Sequence, residues 1–209
     1  MRQAILIAGN SRRFLDDLYS LRQFLVEAVG LRQSAVRLIS AAYVDLGIIQ
    51  HRLERAIGRR TKDPLLLVFS GHGNTDGWYL DDDRFLSFEE LAKMLTLGKR
   101  PVTVIGDCCH AMAAVAHFEK LRVPPERLSY IAASGADMTC RGGLIGLVER
   151  NWRRRRPNVD FPTHRRTVVK KEEQETVVPD NAVPRRWGAI LDYNFFPSAV
   201  VGRIDPFDA

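Results

Sequence analysis

Short apolar runs alternate along the chain with longer segments whose apolar residues recur every three or four positions. Apolar runs bounded by turn-forming residues are typical of buried strands, and the longer period is typical of amphipathic helices. The pattern predicts strands at 3–8, 36–39, 65–69, 102–105 and 130–133. It predicts helices over 18–29, 46–57, 87–95, from about Ala111, and from Gly143 to Trp152.

The segment between the third and fourth of these strands predicts a hairpin followed by a helix. Residues 78–80 and 84–86 are apolar and flank Asp81-Asp82-Asp83, which is typical of a turn. Ser87 then stands where it can cap a helix, and Glu90 occupies the capping-box position three residues later.

Strands that alternate with helices favour a parallel sheet that is covered on both faces. We therefore expect an α/β fold of three layers, with a mostly parallel sheet of about six strands and helices on both faces. The catalytic or binding core would span 1–152. Residues 153–186 are charged and proline-rich, which predicts a flexible loop. Residues 187–209 would complete the same domain, with a last strand over 187–193.

Composition and charge narrow the class of protein. The chain has 209 residues, and its net charge of +6 equals the excess of eleven Lys and Arg over five Asp and Glu within 150–186. No apolar run approaches the roughly 20 residues that span a bilayer, so we expect no membrane association. The first ten residues lack a signal peptide's apolar region. Three cysteines, two of them adjacent, make a poor disulfide framework, and we expect free thiols in a cytoplasmic protein.

Two predicted strands end in groups that could perform chemistry. Residues 65–69 lead into Ser70-Gly71-His72-Gly73, and residues 102–105 lead into Gly106-Asp107-Cys108-Cys109-His110. If the strands are parallel neighbours, an imidazole and a thiol emerge at the same edge of the sheet, where open α/β sheets bind ligands. A thiolate nucleophile beside a histidine is the pair that thiol catalysis needs. A helix beginning after Cys109 would favour the thiolate through its dipole.

The two tetrapeptides Ser70–Gly73 and Asp107–His110 resemble the caspase-like and metacaspase family of clan CD cysteine peptidases. That family carries Ser-Gly-His-Gly at one strand end and Asp-x-Cys-His-Ser-Gly at the next. The order matches here, with His72 and Cys109 separated by 37 residues. The hairpin and helix between them match as well. The resemblance covers about residues 1–152.

The resemblance implies a caspase-like fold and a role for each matching residue. His72 would be the general acid and base and Cys109 the nucleophile. The backbone N–H groups of Gly73 and Cys109 would form the oxyanion hole. Asp107 and Asp17 would line a pocket for an Arg or Lys side chain, so the expected activity is a cysteine endopeptidase that cleaves after Arg or Lys. For Asp17, a place in a first helical turn, where acids complement the helix dipole, is the competing interpretation.

The expected partner is a protein or peptide substrate with a basic P1 residue, and the basic loop 153–186 could be cleaved by the protein itself. No cofactor is expected. No metal site is expected, because no cysteine and histidine spacing fits zinc and residues 113–117 lack the acid of calcium-dependent family members.

Two other functions stay open. Ala111-Met112 replaces the family's Ser-Gly, which favours a catalytically inactive caspase-homology module that binds partners. The run Arg153–Arg156 suggests a nucleic-acid-associated protein. The nearby glutamates and the lack of interleaved aromatic residues argue against nucleic acid.

Overall fold

A computed structural model describes residues 2–140, 143–146 and 185–188. In chain order its strands are β1 (Gln3–Ala8), β2 (Val36–Ser40), β3 (Leu65–Ser70), β4 (His72–Gly73), β5 (Gly77–Tyr79), β6 (Phe85–Ser87), β7 (Val102–Asp107), β8 (Leu128–Ala132) and β9 (Arg185–Gly188). Six of them form a sheet in the order β2-β1-β3-β7-β8-β9, and β9 alone is antiparallel to its neighbour. The predicted mostly parallel sheet of about six strands is confirmed.

Helices cover both faces of this sheet, as predicted. They are α1 (Arg12–Glu27), α2 (Leu46–Ile57), α3 (Phe88–Leu97) and α4 (Ala114–Lys120). Successive residues of a strand point to opposite faces, so alternate strand residues belong to two separate cores. One core joins α1 to residues such as Leu6, Leu66 and Val68. The other joins α2, α3 and α4 to residues of the opposite parity such as Leu67. The molecule therefore has the three layers that the sequence predicts.

The chain reverses its direction across the sheet between β1 and β3. After β1 the chain forms the edge strand β2. It then crosses past β1, so that β3 pairs with β1 on the side opposite to β2. Crossover connections between parallel strands are right-handed. When the chain reverses the direction in which it adds strands to the sheet, the connecting helices therefore change to the opposite face. This reversal leaves a crevice beyond the carboxyl ends of the strands, where ligands of open α/β sheets bind.

A small second sheet projects from the carboxyl end of β3. Strands β4, β5 and β6 pair antiparallel, so the predicted hairpin is confirmed. Arg84 holds its turn, because its Nε donates to Asp81 Oδ2 at 2.7 Å. The capping box is also confirmed: the Glu90 N–H donates to Ser87 Oγ at 3.1 Å, and the Ser87 N–H donates to Glu90 Oε2 at 3.2 Å.

The start of the first helix differs from its prediction. The apolar pattern begins only at Leu18, but the helix begins at Arg12, after Ser11 in an extended conformation. Its first turns alternate between exposed polar residues and the half-buried Phe14 and Leu15, and the predicted apolar pattern does not include these two residues. Asp17 consequently lies beyond the first turn, and the competing interpretation that placed it there to complement the helix dipole was wrong.

The carboxyl-terminal predictions are only partly within the described residues. Residues 144–146 form a helical turn, while the rest of the helix predicted to Trp152, the loop up to 184 and residues 189–209 lie outside them. The last strand was predicted over 187–193, but β9 spans Arg185–Gly188 along the edge of β8. Arg185 and Arg186 therefore belong to a strand and not to the loop. No helix in the described parts of the chain is long and apolar enough to cross a bilayer.

Candidate active site

The ends of β3 and β7 lie side by side, as the sequence predicts. The two strands are parallel neighbours whose last paired residues are Ser70 and Asp107. The chain stays joined for one further residue, because the Gly71 N–H donates to the Asp107 carbonyl at 3.3 Å. His72 and Cys109 thus leave the sheet at the same edge and next to each other.

Gly73 lets the two strand ends touch. A Cβ atom at this position would lie 2.7 Å from the carbonyl oxygen of Cys109 and 2.9 Å from Sγ of Cys108. Real Cβ atoms essentially never approach other atoms so closely, so only a glycine fits without moving one of the segments. The backbone of Gly73 therefore lies directly against the segment that carries the thiol.

The imidazole of His72 is exposed and faces the crevice beyond β1 and β3. The edge of the Phe14 ring packs against it with 5.1 Å between ring centroids. His72 also borders a cavity of about 350 Å³, together with Asn10, Tyr79, Leu80, Asp81 and Asp82. A peptide placed in this cavity would therefore lie against the imidazole.

The thiol of Cys109 is half-buried and its pKa is lowered to about 6. Hydrogen bonding by the side chain of Cys140 is the largest cause, burial works in the opposite direction, and the backbone of Cys140 lowers the pKa further. The Cys140 N–H donates to Cys109 Sγ at 3.3 Å. The nearby imidazoles of His110 and His72 add a smaller lowering. The lowered pKa favours the thiolate, which is the reactive form of a cysteine nucleophile.

The turn after Cys109 differs from the predicted helix. Residues Ala111–Ala113 form one 3₁₀ turn, and the α-helix begins only at Ala114. The first amides of the turn bond elsewhere: the Ala111 N–H donates to Ser134 Oγ at 3.1 Å and the Met112 N–H to the Ser134 carbonyl at 3.2 Å. The expectation that a helix dipole supports the thiolate was wrong, and Cys140 supplies that support.

His110 turns the chain sharply just after the thiol. Its φ of 53° lies in the left-handed region, where residues other than glycine are uncommon. Two bonds to the segment after β8 hold it there: its N–H donates to the Met138 carbonyl at 2.8 Å, and its Nδ1 lies 3.0 Å from the Ala136 carbonyl oxygen. This turn leaves the N–H of Cys109 without a hydrogen-bond partner among the described residues.

His72 and Cys109 are neighbours without a direct hydrogen bond between them in the described structure. The charge of His72 still lowers the pKa of the thiol, which shows that the two groups are in electrostatic reach. A gap between base and nucleophile is compatible with catalysis, because a substrate group can occupy it and catalytic bonds tighten in the complex.

Asp107 is the buried acid of the site, with 2% of its surface exposed. Its carboxylate accepts hydrogen bonds from the N–H groups of Gly143, Leu144 and Ile145 at 3.3 to 3.5 Å. Burial raises the pKa of Asp107 to about 6, although the three amides lower it, and the charge of Asp17 raises it further. The carboxylate therefore fixes the turn at 144–146, a role that the sequence did not predict.

Asp17 lies on α1 within electrostatic reach of Asp107. Burial raises the pKa of Asp17, the charge of Arg13 lowers it, and Asp16 raises it again. The two predicted pocket acids thus lie within electrostatic reach of each other, and Asp107 belongs to the segment that leads to the thiol.

Comparisons with known proteins add evidence on the fold. No family model and no curated protein matches the sequence. The solved structure of caspase-1 from Spodoptera frugiperda is similar, with a TM-score of 0.56 and 14% identity over 90% of this chain and 86% of that chain. The fold is caspase-like. Raptor from Chaetomium thermophilum is also similar, with a TM-score of 0.47 and 11% identity over 73% of this chain. The caspase-like chain spans only 18% of that Raptor chain.

Two features of this candidate site could not be predicted from the sequence. Cys140 is the main partner of Cys109, and Ser134 holds the turn after it through bonds from Ala111 and to the Cys108 carbonyl at 3.0 Å. Both follow β8, the next strand along the sheet, so its carboxyl end reaches the same edge. A third free cysteine shortly after a predicted strand was the available signal.

Proposed function

We propose that this protein is a cysteine endopeptidase that uses Cys109 as nucleophile and His72 as general acid and base. The observation that carries the proposal is a thiol with a pKa of about 6 beside an imidazole at one sheet edge. A buried structural cysteine would show the opposite shift. Cys108 does so: it is 2% exposed, and burial raises the pKa of its thiol well above the usual range.

In the proposed reaction, the thiolate of Cys109 attacks the carbonyl carbon of the scissile peptide bond. The oxyanion that forms accepts hydrogen bonds from the N–H groups of Cys109 and Gly73. Protonated His72 then gives its proton to the departing amine, and the C–N bond breaks to leave a thioester. His72 next removes a proton from water, which attacks the thioester and releases the carboxylic acid and the thiolate.

The proposed specificity is for Arg or Lys at the cleaved position. Asp107 and Asp17 place two carboxylates in one region beside the nucleophile, and a guanidinium or ammonium group would neutralise them. Asp107 acts mainly through its charge, because backbone amides already occupy its oxygens. The preference should therefore depend more on Asp17 for direct contact.

A thiol-directed peptide probe tests the proposal. We expect an acyloxymethyl ketone with Arg at P1 to modify Cys109 at pH 7.5, and the matched Asp probe to react at least tenfold more slowly. His72→Ala and Cys109→Ser should abolish modification, while Tyr43→Ala, which removes an exposed ring outside the site, should leave it unchanged. Equal labelling by the Arg and Asp probes would contradict the proposed specificity for a basic P1 residue. Labelling of the His72→Ala variant at the wild-type rate would contradict the proposed pairing of His72 with Cys109.

The proposed substrate range includes the chain's own segment 153–186, which lies outside the described residues apart from Arg185 and Arg186. Incubation of the full chain should yield a cut after an Arg or Lys of this segment, seen by intact mass. The Cys109→Ser variant should stay whole, and cutting of that variant would point to a contaminating protease.

A catalytically inactive interaction module is the second candidate. Ala111 and Met112 stand at a turn whose amides bond to Ser134, and no direct hydrogen bond joins His72 to Cys109. In that case Cys109 would react with the Arg probe no faster than with iodoacetamide, and no peptide would be cleaved.

A further inference from the structure

A cavity of about 240 Å³ lies at the end of the sheet opposite to the candidate active site. Its floor is the beginning of β1 and β2, and its wall is the second half of α2. The side chains of His72 and Cys109 follow the carboxyl ends of strands, whereas Gln3 and Arg37 stand at the amino ends. The cavity, which we name the arginine cavity, therefore shares no residue with the site described above.

The arginine cavity is lined by positive charge and by no acid. Its charged and titratable lining residues are Arg37, His51, Arg52, Arg55 and Arg59. None of the four arginines forms an ion pair with another described residue. Arg52 and Arg55 stand on α2, Arg37 stands on β2, and Arg59 follows the end of α2. The helix dipole accounts for Arg55 in the last turn, but it does not account for the convergence of the other arginines.

The acid nearest in sequence does not neutralise this charge. Glu54 belongs to the same helical segment, but it lines a different groove, between α2 and α3, together with Glu90 and Lys93. Arg52 and Arg55 thus line the cavity from one side of α2, and the Glu54 carboxylate lies on another side. The segregation occurs although residues outside 150–186 carry no net charge.

A buried cation lies behind the cavity wall. Arg100 is 2% exposed, and its guanidinium donates to Oε1 of Gln3 at 2.9 Å and to the Ala56 carbonyl at 3.2 Å. Gln3 and Ala56 both line the cavity. The remaining donors bond to the carbonyls of Asp63 and Pro64 at 2.8 to 3.1 Å, so all of its acceptors are neutral. A buried charge is normally paired, and this guanidinium has no carboxylate partner among the described residues.

These observations favour an anionic ligand of a particular chemistry. Guanidinium groups recognise phosphate oxygens through paired hydrogen bonds, and several converging arginines suit more than one phosphate group. Among the described lining residues the one ring is the imidazole of His51, and none is Phe, Tyr or Trp, so the cavity offers little surface on which a base could stack. The cavity is a compact concave site between a helix and two strands, with exposed arginines at its rim, unlike an extended basic stripe for a nucleic-acid backbone.

We propose that the arginine cavity binds a compact anion with two or three phosphate groups, held by Arg37, Arg52, Arg55 and Arg59. The anion would neutralise the unpaired guanidinium groups and the buried charge of Arg100 behind them. This site is independent of the proposed peptidase activity.

Isothermal titration of the full chain with tripolyphosphate at 150 mM NaCl tests the proposal. We expect binding at least tenfold tighter than that of inorganic phosphate. The affinity should fall at least tenfold in Arg52→Gln and in Arg55→Gln, and Arg52→Lys should recover only part of it. ATP in a second titration separates the sources of the phosphate groups. An affinity equal to that of tripolyphosphate means that the base is not recognised.

Arg22→Gln is the matched control, because it removes the same charge from α1 on the other face of the sheet. It should bind tripolyphosphate like the wild type. The melting temperature should rise with tripolyphosphate in the wild type and in Arg22→Gln, and not in Arg55→Gln. Absence of binding would overturn the proposal, and so would an equal loss of affinity in Arg22→Gln and Arg55→Gln, which would show a general charge effect.

Discussion

At the scale of single residues, the lowered pKa of the Cys109 thiol depends mainly on one neighbour. Cys140 approaches it with both its backbone N–H and its side chain, and these contacts lower the pKa of Cys109 more than the two imidazoles do. The reactivity of the thiol should therefore respond to a residue that lies 31 positions away in the chain.

Replacing Cys140 by alanine should raise the pKa of Cys109. The side-chain hydrogen bond disappears, so the thiolate loses its largest source of stabilisation. The measurement is the rate of iodoacetamide modification between pH 4.5 and 9, followed by mass spectrometry of the peptide that contains Cys109. The midpoint should move upward from about 6. Cys140→Ser, which keeps a donor, should move it less. An unchanged midpoint in the alanine variant would contradict the contact.

The buried carboxyl of Asp107 makes stability depend on pH. Its pKa is about 6 in the folded chain, against an ordinary value of 3.8. Between these values the folded protein holds a proton that the unfolded chain has released, so the contribution of Asp107 to stability falls as pH rises through this window. Above about pH 6 the loss is complete.

The difference in free energy of unfolding between wild type and Asp107→Asn isolates this effect. It should fall by roughly 3 kcal/mol from about pH 4 to above pH 6, and then stay level. Urea denaturation at each pH gives the values. Asp83→Asn, which changes an exposed carboxylate, should show no such trend relative to wild type. A difference that rises over the same range would refute the sign.

At the scale of elements, the close approach of β4 to the segment after β7 determines where His72 and Cys109 lie relative to each other. Gly73→Ala should force these segments apart, because its Cβ would meet backbone and sulfur atoms at 2.7 and 2.9 Å. We expect a loss of about 1–3 kcal/mol in the free energy of unfolding and loss of probe labelling at Cys109.

Gly47→Ala is the matched control for this substitution. Gly47 lies in α2, and an added Cβ would have no atom within 4 Å. Alanine favours a helix over glycine, so this variant should be equally stable or up to about 1 kcal/mol more stable, with unchanged labelling. If both variants behave alike in urea denaturation and labelling, the close approach at Gly73 does not determine the stability of the protein or the geometry of its site.

The capping box at the start of α3 gives a second prediction for an element. Ser87→Ala removes the acceptor of the Glu90 N–H, which should lower the free energy of unfolding by about 1 kcal/mol. Urea denaturation measures it, and Ser34→Ala, at an exposed position of a short 3₁₀ turn, is the control. A loss no larger than that of the control would show that the box adds nothing.

At the scale of the whole molecule, the layered fold follows from the apolar pattern. Strands such as β3 are buried on both faces and read as continuous apolar runs, so their positions and parallel order could be predicted. The adjacency of β3 and β7 then brought His72 and Cys109 together, as expected. Features set by long-range contact could not be predicted: the bonds of Ser134 to the turn after Cys109, and the role of Asp107 at 143–145.

The site also shows that a sequence motif predicts which residues a site contains, but not the contacts that surround them. The two tetrapeptides identified the imidazole and the thiol. The environment that lowers the pKa of Cys109 comes from Cys140, on a segment with no recognisable motif. The arginine cavity was hidden for a similar reason, since Arg37 and Arg52 lie on different elements and only their packing brings them together.

For the proposed peptidase, the pairing of β3 with β7 has a consequence for when the nucleophile and the base meet during synthesis. The imidazole and the thiol occupy separate segments, each harmless alone, and they meet only after β7 docks beside β3. A growing chain that has emerged from the ribosome as far as Gly73 holds an ordinary histidine with no thiol to act on. The proposed dyad of His72 and Cys109 can therefore assemble only after β3 and β7 have paired, so the order of sheet assembly would set when any peptidase activity begins.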